Sequence, residues 1–352
     1  INGPDQNIVV EEFFENLGLY MIPYGRNQID VKIPKRQRLV PHSSGIKMML
    51  DLLHRSRMQC PAMALGFIQR MLDEGLKHCH DRLVGGKGLD RYDQVQQRLA
   101  RLQGAFAVCS AMCGYSSSQA DTAKDLSANG LVANSIKTVV TDLMHEAAQS
   151  LLQLTGANGY RLDHIAGRGL VDSRPFQIFE GSNDILYVQV TEAVLKMMKR
   201  ARESNLYRFL AGLDLTRRAA EELKSVLDLE ISPQLAQRRL VELGRVISRI
   251  VAFGFVQELG DKGFRPELQS NGLVMLRQDI VAQLGSFSVG STAMVADEYR
   301  DGGDVRFRLI QNRSHVRIEF TAQVDILSVS DLSCASTSRS RPACCPALYS
   351  VH

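Results

Sequence analysis

Apolar side chains recur at intervals of three and four through four long stretches of this chain, and that spacing dictates helices rather than strands. Leu65, Ile68, Leu72, Leu76 and Cys79 form the first stripe, broken by the Gly85-Gly86-Lys87-Gly88 cluster. Val95, Leu99, Leu102, Phe106, Cys109 and Cys113 form the second. Val132, Ile136, Val139, Leu143, Ala147, Leu151 and Leu154 form the third, closed by the glycines after Thr155. The fourth holds Ile185, Val188, Leu195 and Met198, with Asn183 expected as its cap and Lys196, Lys199, Arg200 and Arg202 near its end, where cations complement the helix dipole. Four amphipathic helices with short connections predict an all-α, up-and-down four-helix bundle over residues 41–203.

The flanks read differently. Ile29-Asp30 and Val31-Lys32-Ile33-Pro34 predict an edge strand stopped by proline, the one β element expected in residues 1–40. Helical texture resumes after Ser204. Ser232-Pro233 reads as a cap with proline at the first helical position. Leu240, Leu243, Ile247 and Ile250 give one stripe and Leu273, Leu276, Ile280 and Leu284 another, so residues 204–299 form a helical extension. Beyond Arg300 the chain turns Ser- and Arg-rich, with Cys334, Cys344 and Cys345 and two short strand-like pieces at 305–310 and 316–320. That composition predicts disorder, or sequence foreign to the natural coding frame, over 300–352.

Composition narrows the function. The 352 residues, 45% hydrophobic and 23% charged, suffice for a large core and for more than one compact unit. A net charge of +4 with no Lys/Arg block argues against nucleic acid and against an anionic membrane surface. No apolar run reaches the roughly 18 residues of a spanning helix. The seven cysteines show no Cys-x-x-Cys spacing, so no metal is expected. Cys109 and Cys113 on an apolar stripe read as buried free thiols in a reducing compartment. The chain starts at Ile1 without a signal-peptide pattern, as a fragment or a processed chain would.

Chemistry concentrates in two segments. Gln153 to Tyr160 read Gln-Leu-Thr-Gly-Ala-Asn-Gly-Tyr, and Phe176 to Asp184 read Phe-Gln-Ile-Phe-Glu-Gly-Ser-Asn-Asp. By themselves Gly156 and Gly159 serve as a helix C-cap, Ser182 as an ordinary N-cap and Glu180 as a carboxylate complementing a helix dipole. Together the segments resemble the C-terminal signature of the acyl-CoA dehydrogenases, Gln-x-x-Gly-Gly-x-Gly-Tyr followed by Ile-Tyr-Glu-Gly-Thr-x-Glu-Ile. Ala157 replaces a Gly, Phe179 a Tyr, Ser182 a Thr and Asp184 a Glu. Arg168, Asp172 and Arg174 fall on the family's intervening Arg-x-x-x-Asp-x-Arg, with Val171 replacing a common Arg.

The resemblance covers residues 29–202 and implies more than spacing can. In that family a helical domain and a β-barrel precede the bundle, so residues 29–34 look like the barrel's last strand and 1–40 like its remnant. The helical extension is reminiscent of the very-long-chain members. The implied reaction is oxidation of an acyl-CoA to a trans-2-enoyl-CoA in fatty-acid β-oxidation, with Glu180 removing the α-proton and FAD taking the hydride. A carboxylate can do this when desolvated and when the enolate-like charge is stabilised. Implied FAD contacts are Arg82, Gln153, Gly156, Gly159, Ser182 and Asp184; implied substrate contacts are Arg57, Phe179 and Gly181. Arg82 falls on an Arg-x-x-Phe-Gly motif that reaches the flavin pyrophosphate of a neighbouring subunit, although Gly85 replaces the Phe. Some members carry the base on an earlier helix, immediately before an Arg; here Ser56 stands there, before Arg57, which leaves Glu180 as the base. His54, where an Asp is usual, reads as a surface residue, Lys137 as a solvated charge, and Arg57 equally as a solvated Arg. Implied partners are the acyl-CoA, an electron-transfer flavoprotein or similar acceptor, and further copies of the chain in a homodimer or homotetramer. The compartment would be the cytoplasm of a bacterium or the mitochondrial matrix of a eukaryote. Two other readings remain: a catalytically inactive or truncated helical interaction module, and a nitroalkane-type oxidase, against which Glu180 argues because an Asp stands at that position there.

Overall fold

The computed structural model describes residues 6–119, 121–289 and 295; the tail expectations for 300–352 lie outside them. The chain divides into two units, Ile1–Ser291 and Thr292–His352, and all that follows concerns the first.

The first unit opens with a hairpin, β1 (Gln6–Phe13) and β2 (Gly25–Val31), paired antiparallel with a bulge between Val10 and Glu12. The strand expected at 29–34 therefore begins earlier and ends before Pro34. Its partner β1 was not foreseen because both faces of the hairpin are exposed: Ile8, Val10, Phe13 and Ile29 all face solvent, so no alternation marks the strand. The hairpin loop is latched to the bundle. The Leu19 N–H donates to Asp172 Oδ1 at 2.7 Å, and the Arg168 guanidinium lies 4.6 Å from the centre of the Tyr20 ring.

Helix α1 (Gly45–Asp81) carries Pro61 in its interior, where one helical hydrogen bond is necessarily missing. Two-residue strands β3 (Leu83–Val84) and β4 (Lys87–Gly88) form the Gly85-Gly86 turn before α2 (Asp93–Ser118) and α3 (Gly130–Thr155). Then come α4 (Ile165–Ser173), α5 (Asn183–Ala201), α6 (Leu206–Ala211), α7 (Arg217–Glu222), α8 (Lys224–Leu227), α9 (Gln237–Asp261) and α10 (Pro266–Ser288). The four expected bundle helices are α1, α2, α3 and α5. Their buried stripes match the periodicity with small rotations: Ile68, Leu72 and Cys79 are buried on α1 while Leu76 is exposed, and α5 buries Leu186, Val190 and Val194 while Ile185 faces out. Cys109 is buried and Cys113 half-buried, both as free thiols.

The extension shares the bundle's core. Helix α9 is buried nearly all round from Leu243 to Gln257, as befits a central helix rather than a surface one. It packs on α5, α3, α2 and α10. At its crossing with α5, a Cβ on Gly244 would lie 2.2 Å from the Tyr187 carbonyl oxygen, so only glycine permits this approach. Thr191 adds a hydrogen bond from its hydroxyl to the Leu240 carbonyl at 2.7 Å. Two expected helix starts are corrected. Helix α9 begins at Gln237, and Ser232 forms a turn instead, accepting the Gln234 N–H at 3.3 Å. Ser182, not Asn183, occupies the N-cap position of α5, because the Asn183 side chain is drawn into the protein.

Candidate active site

Glu180 and Gly181 both adopt left-handed backbone, with φ of +58° and +93°. For a residue with a Cβ this costs roughly 1–2 kcal/mol, so the surroundings must impose it. At Gly181 a Cβ would meet Leu186 Cδ2 at 3.0 Å and Arg57 Nη2 at 3.3 Å.

Two buried cations hold the turn through its carbonyls. Arg57 donates from Nε and Nη2 to the Glu180 carbonyl oxygen at 3.2 and 2.7 Å, and from Nη1 to Asn134 Oδ1 at 2.8 Å. Lys137 donates to the Gly181 carbonyl oxygen at 3.0 Å and to Asn183 Oδ1 at 2.8 Å. Burial works against both charges: it lowers the Arg57 pKa, and it pushes that of Lys137 down to about 8. The partners come from one face of α3, where buried Asn134, Lys137, Thr138 and Thr141 and half-buried Asp142 follow helical spacing as a polar stripe. Asn183 Nδ2 donates to Thr141 Oγ1 at 3.0 Å and to Asp142 Oδ1 at 2.7 Å. Asp142 also accepts from Gln177 Nε2 at 2.7 Å and from the Tyr187 hydroxyl at 2.6 Å.

The Glu180 carboxylate is asymmetric. The Ser56 hydroxyl donates to Oε1, whereas Oε2 is buried and has no partner among the described residues. An orphaned buried acceptor costs about 1–3 kcal/mol and demands an explanation. One turn along α1, Cys60 is buried, and burial followed by the nearby Glu180 charge pushes its thiol up to about 11.

The other expected residues are dispersed. Phe179 is half-buried and packs on Phe176, ring centres 5.0 Å apart. Gln153 is exposed near the end of α3; Gly156 closes that helix at φ +57°, and Gly159 is buried behind it. The Ser182 hydroxyl is half-buried, and Asp184 lies exposed in the first turn of α5, 3.1 Å from Arg245 Nη2. Arg82 caps the far end of α1, exposed, 25 residues beyond Arg57 and hence about 37 Å along the helix.

Surface readings of three residues are overturned. His54 is buried, its Nδ1 paired with the Leu126 carbonyl at 2.7 Å. Lys137 and Arg57 are buried on the turn, and the Arg57 guanidinium is directed at the peptide of the expected base. Asn134 and Asp142 were missed altogether, and Asn183 was expected only as a helix cap, though the run of polar residues at positions 134, 137, 138, 141 and 142 was a visible signal. Among the described residues no group of His, Cys, Asp or Glu is disposed to hold a metal, and no helix is long and apolar enough to cross a membrane.

Residues 43–195 match the acyl-CoA dehydrogenase C-terminal domain family. The glutaryl-CoA dehydrogenase of Desulfococcus multivorans is 27% identical over 173 residues, 49% of this chain and 44% of that protein. The short-chain-specific acyl-CoA dehydrogenase of Megasphaera elsdenii is 23% identical over 167 residues, 47% of this chain and 43% of that protein. The chain thus spans less than half the length of these curated relatives. An acyl-CoA dehydrogenase of Bacillus anthracis solved with FAD shares the fold at a TM-score of 0.62 and 16% identity, covering 80% of this chain and 56% of that one. Residues 1–203 are too few for that coverage, so the shared fold takes in helices of the extension. The double signature, the helical bundle and the match to the acyl-CoA dehydrogenase C-terminal domain family all fall on the same stretch, residues 43–195.

Proposed function

We propose that this chain is the catalytic bundle of a flavin-dependent acyl-CoA dehydrogenase, oxidising an acyl-CoA thioester to the trans-2-enoyl-CoA with Glu180 as the base. The observation that carries this reading is the carboxylate itself: a left-handed Glu–Gly turn fixed by two cations, with Oε1 held by Ser56 and Oε2 buried and without a partner among the described residues. A proton acceptor needs such a free, oriented oxygen, and Oε2 would take the substrate's α-proton. Arg57, bonded to the Glu180 carbonyl oxygen, holds the base's peptide while the proton moves. Phe179 and Gly181 border the carboxylate on either side in sequence and would flank the acyl chain.

The residues present fit a flavin dinucleotide at its phosphate-bearing end. Gly156 has open space where a Cβ would stand, and the Ser182 hydroxyl makes no hydrogen bond among the described residues. The first N–H groups of α5 lack helical acceptors and suit an anion. Ser182 and Asp184 would line that end, whereas Gln153, Gly156 and Gly159, about 20 Å farther along α3 from the Asn183–Thr141 contact, would meet another part of the dinucleotide or the flavin of another copy. FAD, when bound, accepts the β-hydrogen as hydride. Arg82, about 37 Å along α1 from Arg57, suits the flavin of another copy, which makes the working unit a dimer or larger. An electron-transfer flavoprotein or a similar acceptor would reoxidise the flavin.

Glu180→Gln tests the base. With FAD, an acyl-CoA and an artificial electron acceptor, turnover should fall by about 10²–10⁴-fold; retention of more than about a tenth overturns the assignment. The reading as an inactive helical interaction module draws support from the hairpin, whose apolar residues are exposed on both faces. A visible flavin absorbance band in the purified chain after FAD addition separates the two.

A further inference from the structure

Lys137 is the buried group that the proton-transfer reading leaves without a chemical task. It lies on α3, 1% exposed, and makes no ion pair among the described residues. Its hydrogen bonds go to the Gly181 carbonyl and to Asn183 Oδ1, the residue that starts α5. The charged and titratable groups around it are Arg57 and Cys60 from α1, Asp142 from its own helix and Glu180 from the turn. An apolar side chain of similar length would fill the same space without the desolvation that a buried ammonium suffers.

We propose that Lys137 is a positioning residue for Glu180: by holding the Gly181 carbonyl and Asn183 together, it locks the left-handed turn and keeps the carboxylate facing Ser56. Arg57 fixes the peptide carbonyl on the near side of Gly181 and Lys137 the one on the far side. Between them neither peptide plane can flip. Loss of Lys137 frees the second plane, so the Glu180–Gly181 pair can relax toward ordinary backbone and carry the carboxylate away. Ammonium donors are stronger than amine donors, so loss of the Lys137 proton loosens the same lock. The significance of this lock rests on Glu180 being the base, but the lock itself is measurable without turnover.

Hydrogen–deuterium exchange on the chain as it stands provides the test. In Lys137→Met the backbone amides of residues 179–186 should exchange about tenfold faster or more, while those of α2 and α10 keep wild-type rates. Unchanged rates at 179–186, or uniform acceleration across all helices, overturn the proposal; the second result marks an ordinary core residue. If the variant does not fold, the wild-type chain carries the test. The ¹⁵N resonance of the Lys137 ammonium should titrate near pH 8, and protection at 179–186, corrected for intrinsic base catalysis, should drop across that titration. Protection that stays level from pH 7 to about 9.5 overturns it. Glu180→Gln turnover judges the base assignment independently, so each idea can fail alone.

Discussion

Lys137 and Arg249 are both buried cations, and their surroundings could hardly differ more. Arg249, on α9, donates to Asp279 Oδ2 at 3.3 Å, and Asp279 Oδ1 in turn takes Arg101 Nη2 at 2.9 Å, with Arg101 also paired to Glu146. Burial opposes the Arg249 charge, but Tyr187 and Asp279 beside it prevail and hold the guanidinium above its ordinary range. Among the described residues Lys137 donates to carbonyl oxygens alone, and burial outweighs the nearby Cys60, Asp142 and Glu180 charges. The first arrangement ties α9 and α10 to α2 and α3 and is architecture. The second leaves an ammonium uncompensated next to a strained turn, an arrangement that stability alone would not select.

The contrast breaks first at Asp279. Asp279→Ala strands the buried Arg249 guanidinium, while Arg101 keeps Glu146, and should cost about 3–5 kcal/mol, read from the urea midpoint. A cost under about 1 kcal/mol would mean the network is ornamental. The next effect concerns pH. The Lys137 pKa is about 8 in the fold against 10.5 for the free side chain. Between those values the unfolded chain binds the extra proton, so folding stability contributed at this site rises with pH, by roughly 3 kcal/mol at most. Burial raises the thiols of Cys60 and Cys109, and their contribution falls over the same alkaline range, so the measurement is wild type minus Lys137→Met. A difference that declines with pH would reverse the roles assigned to the two cations. Smaller again is Gly244→Ala, which presses a methyl on the Tyr187 carbonyl and should cost about 1–3 kcal/mol in thermal unfolding. The least is Asp172→Ala, which unlatches the Leu19 N–H for about 1 kcal/mol and should speed exchange in the hairpin loop alone.

What the sequence made legible was the apolar part. Ile68, Leu102, Ile136 and Ile280 could be placed in a core from spacing, because burial of apolar area dominates helix packing and repeats every turn. The Glu180–Gly181 turn was legible through its Glu-Gly pair and the resemblance. The groups that hold the turn were not. Charged residues are ordinarily solvated, and a pattern of apolar against polar assigns Lys137 and Arg57 outward by default. Only their three-dimensional partners, the carbonyls of Glu180 and Gly181, reverse that assignment. Asn183 failed for a related reason: its residue type favours capping, but Asp142 and Thr141 offered its amide more hydrogen bonds inside than the helix end offered outside.

The packing of α10 on α2 carries a consequence in time. Asn271 donates to Gln103 across 168 residues of sequence, and Gly104 lies against the Asn271 carbonyl and Met275. A ribosome adding about 5–20 residues per second separates the two helices by roughly 10–30 s. Through that interval α2 stands on the nascent chain with its small-residue face uncovered: α1 is already made and α3 follows soon after, but α9 is completed only just before α10. Synthesis rate and chaperone occupancy, rather than final stability, then govern how many chains reach the native state, and slowing translation between residues 200 and 270 should enlarge the fraction that aggregates.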